Sequence, residues 1–236
     1  MQIVVFSSEA EWIHAAVAGL LAAADSARKA NRSSLSLCLA GGLTPEPVYR
    51  AMSTLSLEGL AVDLWLGDER VVPPGDAARN GDMISRAFAG CSWTPPPRLR
   101  LWPEAETEAE AASACERYEA ELRASLGPEP GFDLAILGLG ADGHTASLFP
   151  ASPILLAPAE PFGAVRLAAT ARSPLPPLDR MTLTLAALRS ARRRIFLVKG
   201  ADKLPALRKL EAEDSGIPAS LIAGPGDRAL YLDSPI

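Results

Sequence analysis

The chain holds two histidines, His14 and His144, and they stand in unlike surroundings. His144 closes the run Gly138, Leu139, Gly140, Ala141, Asp142, Gly143, His144, a polar, glycine-rich turn placed directly after an apolar strand-like run. An imidazole is the side chain best matched to taking and returning a proton near neutral pH. Asp142, two residues earlier, either orients that ring or shapes the turn. His14 flanks the apolar stripe of the first helical segment and reads as structural. The glycines of the turn also fit G-x-G-x-x-G, the dinucleotide fingerprint, but the helix that should follow is cut short by Pro150. No second strand with an acidic end appears about 20 residues on, as that motif requires. The turn is therefore assigned to catalysis.

Three further segments carry chemistry. In AGGLTP, residues 40–45, Gly41 and Gly42 stand between a strand and a helix start. There a backbone without side chains and unpaired N–H groups suit a phosphate, although an ordinary tight turn uses the same residues. Asp68, Glu69 and Arg70 follow the third strand, and taken alone they read as a solvated loop with an internal ion pair. Lys203 opens a helix after VKG and is one of four lysines, with Lys29, Lys199 and Lys209. Arg192, Arg193 and Arg194 precede a strand, so they are expected at the far end of the sheet as a solvated face.

The elements that must position these groups alternate. Strands are expected at residues 2–6, 35–40, 62–66, 132–137, 164–169, 181–185, 195–198 and 229–232. Helices are expected from Ser7 or Ser8 along the stripe Ile13, Ala16, Val17, Leu20, Leu21 and Ala24, from Thr44 as N-cap to about Ser53, and over 82–88, 104–126 and 201–212. The prolines at 95–97 must be loop. This alternation predicts one α/β domain over residues 1–236, with a mostly parallel, doubly wound sheet and helices on both faces. Ligands in such sheets bind beyond the carboxyl ends of the strands. AGGLTP, GDER, GLGADGH and KGADK all follow strands, so the four are expected to converge.

Composition narrows the function classes. With 23 basic and 28 acidic side chains the formal charge is −5, which speaks against general nucleic-acid binding but leaves room for a local cationic pocket. The longest apolar run, residues 15–24, is short of the roughly 20 residues that span a bilayer, and the first residues lack a basic leader. A cytoplasmic protein with no membrane partner is expected. Cys38, Cys91 and Cys115 are odd in number and form no CxxC, so neither a disulfide framework nor a zinc site is supported, and two histidines build no multi-histidine metal site.

The four segments together resemble the 6-phosphogluconolactonases. The resemblance runs through AGGLTPEPVYRAM, LWLGDERVVP with the later Asn80, FDLAILGLGADGHTASLFP, RMTLTLAAL and FLVKGADK, in that order over most of the chain; DGHTASLFP is the most specific piece. It implies an α/β domain related to glucosamine-6-phosphate deaminase and ribose-5-phosphate isomerase, no metal or organic cofactor, and hydrolysis of 6-phospho-D-glucono-1,5-lactone in the oxidative pentose phosphate pathway. It further implies His144 as catalytic base, with Asp142 beside it. Gly41, Gly42 and Thr44 with Arg180 and Lys203 would form the phosphate site, Asp68, Arg70 and Asn80 would line the sugar, and the turn around Gly140 or Arg70 would stabilise the oxyanion. The partner implied is a small sugar-phosphate lactone, on a monomer or homodimer.

Departures are visible. Ala40 and Leu43 stand where the glycine loop often has serines, and Arg79 stands before Asn80 where serine is common. Two other functions are weighed. A deaminase or isomerase of the same superfamily resembles DGHIAFNE after the histidine, whereas Leu148 and Phe149 offer no acid here. A non-enzymatic sugar-phosphate sensor would need a DNA-binding or partner domain, for which 236 residues leave no spare segment.

Overall fold

The computed structural model describes residues 1–127, 131–156 and 166–233. In chain order they form β1 (Gln2–Phe6), α1 (Glu9–Lys29), β2 (Ser34–Leu39), α2 (Glu46–Ser53), β3 (Ala61–Leu66), β4 (Asp68–Arg70), α3 (Asn80–Ala87), β5 (Arg98–Arg100), α4 (Glu108–Leu126), β6 (Leu134–Gly138), β7 (Ala168–Arg172), β8 (Asp179–Leu183), α5 (Leu185–Arg189), β9 (Arg194–Lys199), α6 (Leu204–Glu211), α7 (Pro218–Ile222) and β10 (Arg228–Leu232). Seven strands make one parallel sheet in the order β1-β10-β9-β6-β2-β3-β5, flanked by helices. This is the α/β architecture expected from the alternating pattern.

Helix α1 shows how the sequence makes these layers. Ser8 caps it by accepting from the Glu11 amide, Glu9 and Glu11 lie in its first turn and Arg28 and Lys29 in its last, each at the end of the helix dipole that favours its charge. Its buried stripe, Trp12, Ala16, Val17, Leu20, Ala23, Ala24 and Ala27, is mostly small, so the helix lies close to the strands. Gly19 sharpens the point: a β-carbon there would meet Ile195 Cδ1 at 2.2 Å. Trp12 fixes the depth by donating its indole N–H to the Leu230 carbonyl at 2.8 Å.

Several expectations need correction. Thr44 does not cap α2, because Pro45 occupies the N-cap with no side-chain cap bond. Helix α4 begins at Glu108 and not at 104: Thr107 and Glu110 form a reciprocal capping box, and extended Thr107 cannot continue a helix backwards. The strand expected at 181–185 is β8, which ends at Leu183 because Thr184 turns to cap α5. That expected at 164–169 is β7; residues 164–165 lie outside the described residues.

Two strands, β4 and β5, and two short helices, α5 and α7, escaped the hydrophobic pattern. GDER is no solvated loop: its residues 68–70 are β4, the edge of a three-stranded antiparallel sheet β4-β8-β7 whose register pairs Asp68 with Thr182. Strand β5 is charged because it is an edge strand, and its Arg98 and Arg100 both reach the buried carboxylate of Asp63 on β3.

The arginine triplet is only partly solvated. Arg194, its side chain 11 % exposed, forms a bracket between the loops that flank β9 and β10. Its Nε donates to Asp227 at 2.6 Å, its Nη1 donates to the carbonyls of Arg189 and Ala191, and Asp227 also accepts from the amides of Arg194 and Gly224. Removing one partner leaves the other charge buried. Asp227→Ala is therefore expected to cost about 3–5 kcal/mol, read as a lowered urea midpoint; a loss below about 0.5 kcal/mol would show that water replaces the carboxylate freely.

Candidate active site

The chain leaves the centre of the parallel sheet in opposite directions: from β2 outward to β3 and β5, and from β6 outward to β9 and β10. In open α/β sheets the crevice at such a switch point receives the ligand. The carboxyl ends of β9, β6, β2 and β3 are adjacent there, and they emit Lys199 and Gly200, the 138–144 turn, residues 40–45, and Gly67 with Asp68. The four distant segments do converge.

His144 is held by the backbone that precedes it. Its Nδ1 lies 2.6 Å from Asp142 Oδ1, and the same oxygen accepts the His144 amide at 3.0 Å. Burial pushes the Asp142 carboxyl up, but the His144 amide and the facing imidazole outweigh it, and the group sits below the usual aspartate range. An ionised Asp142 accepts a hydrogen bond from Nδ1–H, so the neutral tautomer keeps its lone pair on Nε2. Gly140 makes room for the ring: a β-carbon there would lie 2.1 Å from Nδ1. The ring also meets Phe149, centroids 4.8 Å apart and tilted by 47°.

A second knot lies beneath β4. Asp68, 8 % exposed, accepts Ser147 Oγ at 2.6 Å and Asn80 Nδ2 at 3.3 Å. Its neighbour Glu69 accepts the amides of Asn80 and Gly81 at the start of α3 as well as that of Arg70, with each distance between 2.7 and 2.8 Å. Burial nevertheless holds the Glu69 carboxyl above the usual range. Asn80 lies flat against Gly41, where a β-carbon would be 1.9 Å from its Cγ. No internal ion pair exists within the DER triplet; both acids point inward.

These residues wall two adjoining cavities. The first, about 240 Å³, is lined by residues 40–45, Asn80, Gly140, Thr145, Lys199 and others. The second, about 580 Å³, runs past Asp142, Phe149, residues 173–176 and Arg180. Asp68, Arg70, His144, Ala146 and Lys203 border both. The cleft continues past Asp142 and Arg180 into a wider hollow of about 670 Å³, which has no imidazole, lysine or glycine-loop residue on its wall.

Gly41, Gly42, Thr44, Asp68, Arg70, Asn80, Gly140, His144 and Lys203 thus come together around the first cavity, with Asp142 behind His144. Arg180 lines the second cavity together with Lys203, and the glycine loop lines the first, which Lys203 also borders. His14 is exposed on α1, away from the cleft. Sequence reasoning missed Ser147, Glu69 and Lys199. Lys199 was legible in principle: Leu197 and Lys199 are two apart on β9, share a face, and both line the first cavity. Among the described residues no three His, Cys, Asp or Glu side chains gather as a metal centre would, and no helix is long and apolar enough to cross a membrane.

A parallel sheet with an imidazole–carboxylate pair beside a glycine-lined, lysine-bearing hollow at its switch point defines an α/β protein whose cleft suits a small anionic ligand. The profile described as "Glucosamine-6-phosphate isomerases/6-phosphogluconolactonase" matches residues 7–231. A 6-phosphogluconolactonase of Synechocystis sp. is 34% identical over 211 residues, 86% of this chain and 84% of that one. Solved 6-phosphogluconolactonases of Trypanosoma brucei and Thermotoga maritima superpose with TM-scores of 0.77 and 0.76 at 26% and 25% identity, covering 98% and 99% of this chain and 95% and 99% of theirs. The chain belongs to this superfamily and, within it, to the 6-phosphogluconolactonase family.

Gly140 offers a test of the geometry that leaves every polar group in place. Gly140→Ala is expected to displace the imidazole and lower turnover by about 10²-fold with an unchanged circular dichroism spectrum. Full activity in this variant would mean that the position of the ring against the turn is immaterial.

Proposed function

We propose that the protein hydrolyses 6-phospho-D-glucono-1,5-lactone to 6-phospho-D-gluconate, with His144 as general base. The observation that carries this reading is the 2.6 Å contact between Asp142 and His144 Nδ1, which leaves Nε2 basic on the wall shared by both cavities. Neutral His144 takes a proton from water as its oxygen bonds to C1, and the C1 carbonyl becomes an oxyanion. The imidazolium then returns the proton to the ring oxygen as the C1–O bond breaks, giving a carboxylic acid that ionises. Water and lactone are consumed in equal number and no oxidant is needed.

The oxyanion needs donors aimed at it. The amides of Gly140, Gly143 and His144 already donate within the turn, to the His144 carbonyl, the Gly140 carbonyl and Asp142. Arg70 borders His144 in both cavities and keeps a buried Nε without a partner among the described residues, so it is the donor assigned. The phosphate is assigned to the glycine loop and Lys203, where the backbone of Gly42, at φ +89°, opens toward the ligand with nothing within 4 Å of a β-carbon. Remote binding of this kind positions the reacting carbon. The missing serine hydroxyls at 40 and 43 leave these backbone donors intact. Phe149 against the imidazole supplies no second acid for a ring-opening deamination, which weighs against the isomerase reading.

The small molecule bound is thus a sugar-phosphate lactone, and two outcomes check the assignment. His144→Ala is expected to lower lactone hydrolysis, followed by coupling to glucose-6-phosphate oxidation, by about 10²–10⁴-fold; wild-type rates would remove His144 from the chemistry. Lys203→Met is expected to weaken the phosphorylated lactone by about 1.5–3 kcal/mol while barely changing slow hydrolysis of unphosphorylated gluconolactone. Equal damage to both substrates would move the phosphate site elsewhere.

A further inference from the structure

Arg70 and Arg180 stand directly opposite each other in the antiparallel register of β4 and β8. Like charges in that position repel, and strand pairs normally avoid them. Neither guanidinium has an ion-pair partner among the described residues. Arg70 spends Nη1 on the Ala78 carbonyl and keeps Nε free; Arg180, only 7 % exposed, keeps both Nε and Nη1 buried without a partner. Burial first, and then the facing Arg70, disfavour the Arg180 charge, and nearby Asp68 and Glu69 offset them only in part. The nearest acids are already committed, Asp68 to Ser147 and Asn80, and Glu69 to three backbone amides. Two cations with unused donors, held face to face by a strand pair, form an arrangement that an anion completes.

We propose that Arg70 and Arg180 form a carboxylate site that receives C1 of the opened product, separate from the phosphate site at the glycine loop. The proposal rests on the lactonase reading above. His144 borders both cavities, so the carbon under attack lies between them, while the phosphate at C6 is at the far end of the sugar. The anion that appears beside His144 is therefore the one hydrolysis creates. A lactone carbonyl is neutral, the tetrahedral intermediate carries an oxyanion, and the product carries a planar carboxylate that suits guanidinium forks. The pair consequently holds the transition state and product more tightly than the substrate, which raises turnover and makes the aldonate an inhibitor.

The test measures inhibition of lactone hydrolysis by three ligands: D-gluconate, which has only the carboxylate, D-glucitol 6-phosphate, which has only the phosphate, and 6-phosphogluconate, which has both. Arg180→Met is expected to weaken gluconate and 6-phosphogluconate by roughly ten- to a hundredfold and to leave glucitol 6-phosphate within about twofold. Lys203→Met should weaken glucitol 6-phosphate and spare gluconate. Removing one of two facing like charges should leave the thermal midpoint of Arg180→Met unchanged or higher; if it falls, Arg180→Lys, which keeps the charge without the fork, carries the same comparison. Glucitol 6-phosphate weakened as much as 6-phosphogluconate would place Arg180 on the phosphate and overturn the proposal, as would unaltered binding of gluconate and 6-phosphogluconate. Absence of lactone hydrolysis by the unmodified protein would instead bring down the lactonase reading itself.

Discussion

Two adjacent buried carboxylates, Asp68 and Glu69, are the constraint on which the rest of the cleft depends. Strand β4 has only three residues and too little apolar surface to hold itself in place. What holds it is polar: Glu69 accepts the first amides of α3, and Asp68 accepts Ser147 from the turn after β6 and Asn80 from α3. Burying a carboxylate is costly unless its oxygens are filled. Each acid therefore tolerates essentially one arrangement of three segments that are far apart in the chain. That arrangement sets β4 against β8, turns Arg70 toward His144, and lays Asn80 against Gly41.

The glycines follow from the same logic. Gly41 and Gly140 do not need unusual backbone angles, and their φ values are not in the left-handed region. They are needed because a functional side chain occupies the place of their β-carbon, Asn80 in one case and His144 in the other. A glycine motif here records the close approach of a side chain from the protein itself as much as that of a ligand. This is why the 138–143 turn imitates a dinucleotide fingerprint while doing different work.

Much of this was legible in the sequence, and the limits have physical causes. Buried parallel strands are continuous apolar runs, so β2, β3, β6, β9 and β10 stand out, and the rule about carboxyl ends then gathers AGGLTP, GDER, GLGADGH and KGADK without any family resemblance. Strand β4 was hidden because its register partner Thr182 is over a hundred residues away and its hydrogen bonds leave no trace in periodicity. Strand β5 was hidden because Arg98 and Arg100 are paired across the strand with Asp63, so an edge looks like a loop. Side-chain depth was the other blind spot: Arg194 and Glu69 read as surface charge, and only the tertiary partners that fill their hydrogen bonds show why they are inside.

The cleft carries four cations in a chain of net charge −5, and they are of two kinds. Lys199 and Lys203 are partly exposed and already paired, with Glu9 at 2.9 Å and Asp202 at 2.8 Å. Arg180 is buried and Arg70 half-buried, and neither has a carboxylate ion-pair partner among the described residues. A phosphate arriving at the lysines exchanges one anion for another, so its gain is the difference between two charged contacts in a partly screened setting. Charge developing at C1 meets guanidinium donors that have no hydrogen-bond partner of their own and whose neighbouring carboxylates, Asp68 and Glu69, are filled by other donors, where each interaction is stronger. On the proposed reading the protein thus separates holding from reacting: the pole that is neutralised at rest binds the substrate's permanent charge, and the pole left unneutralised is reserved for the charge that exists only once water has attacked.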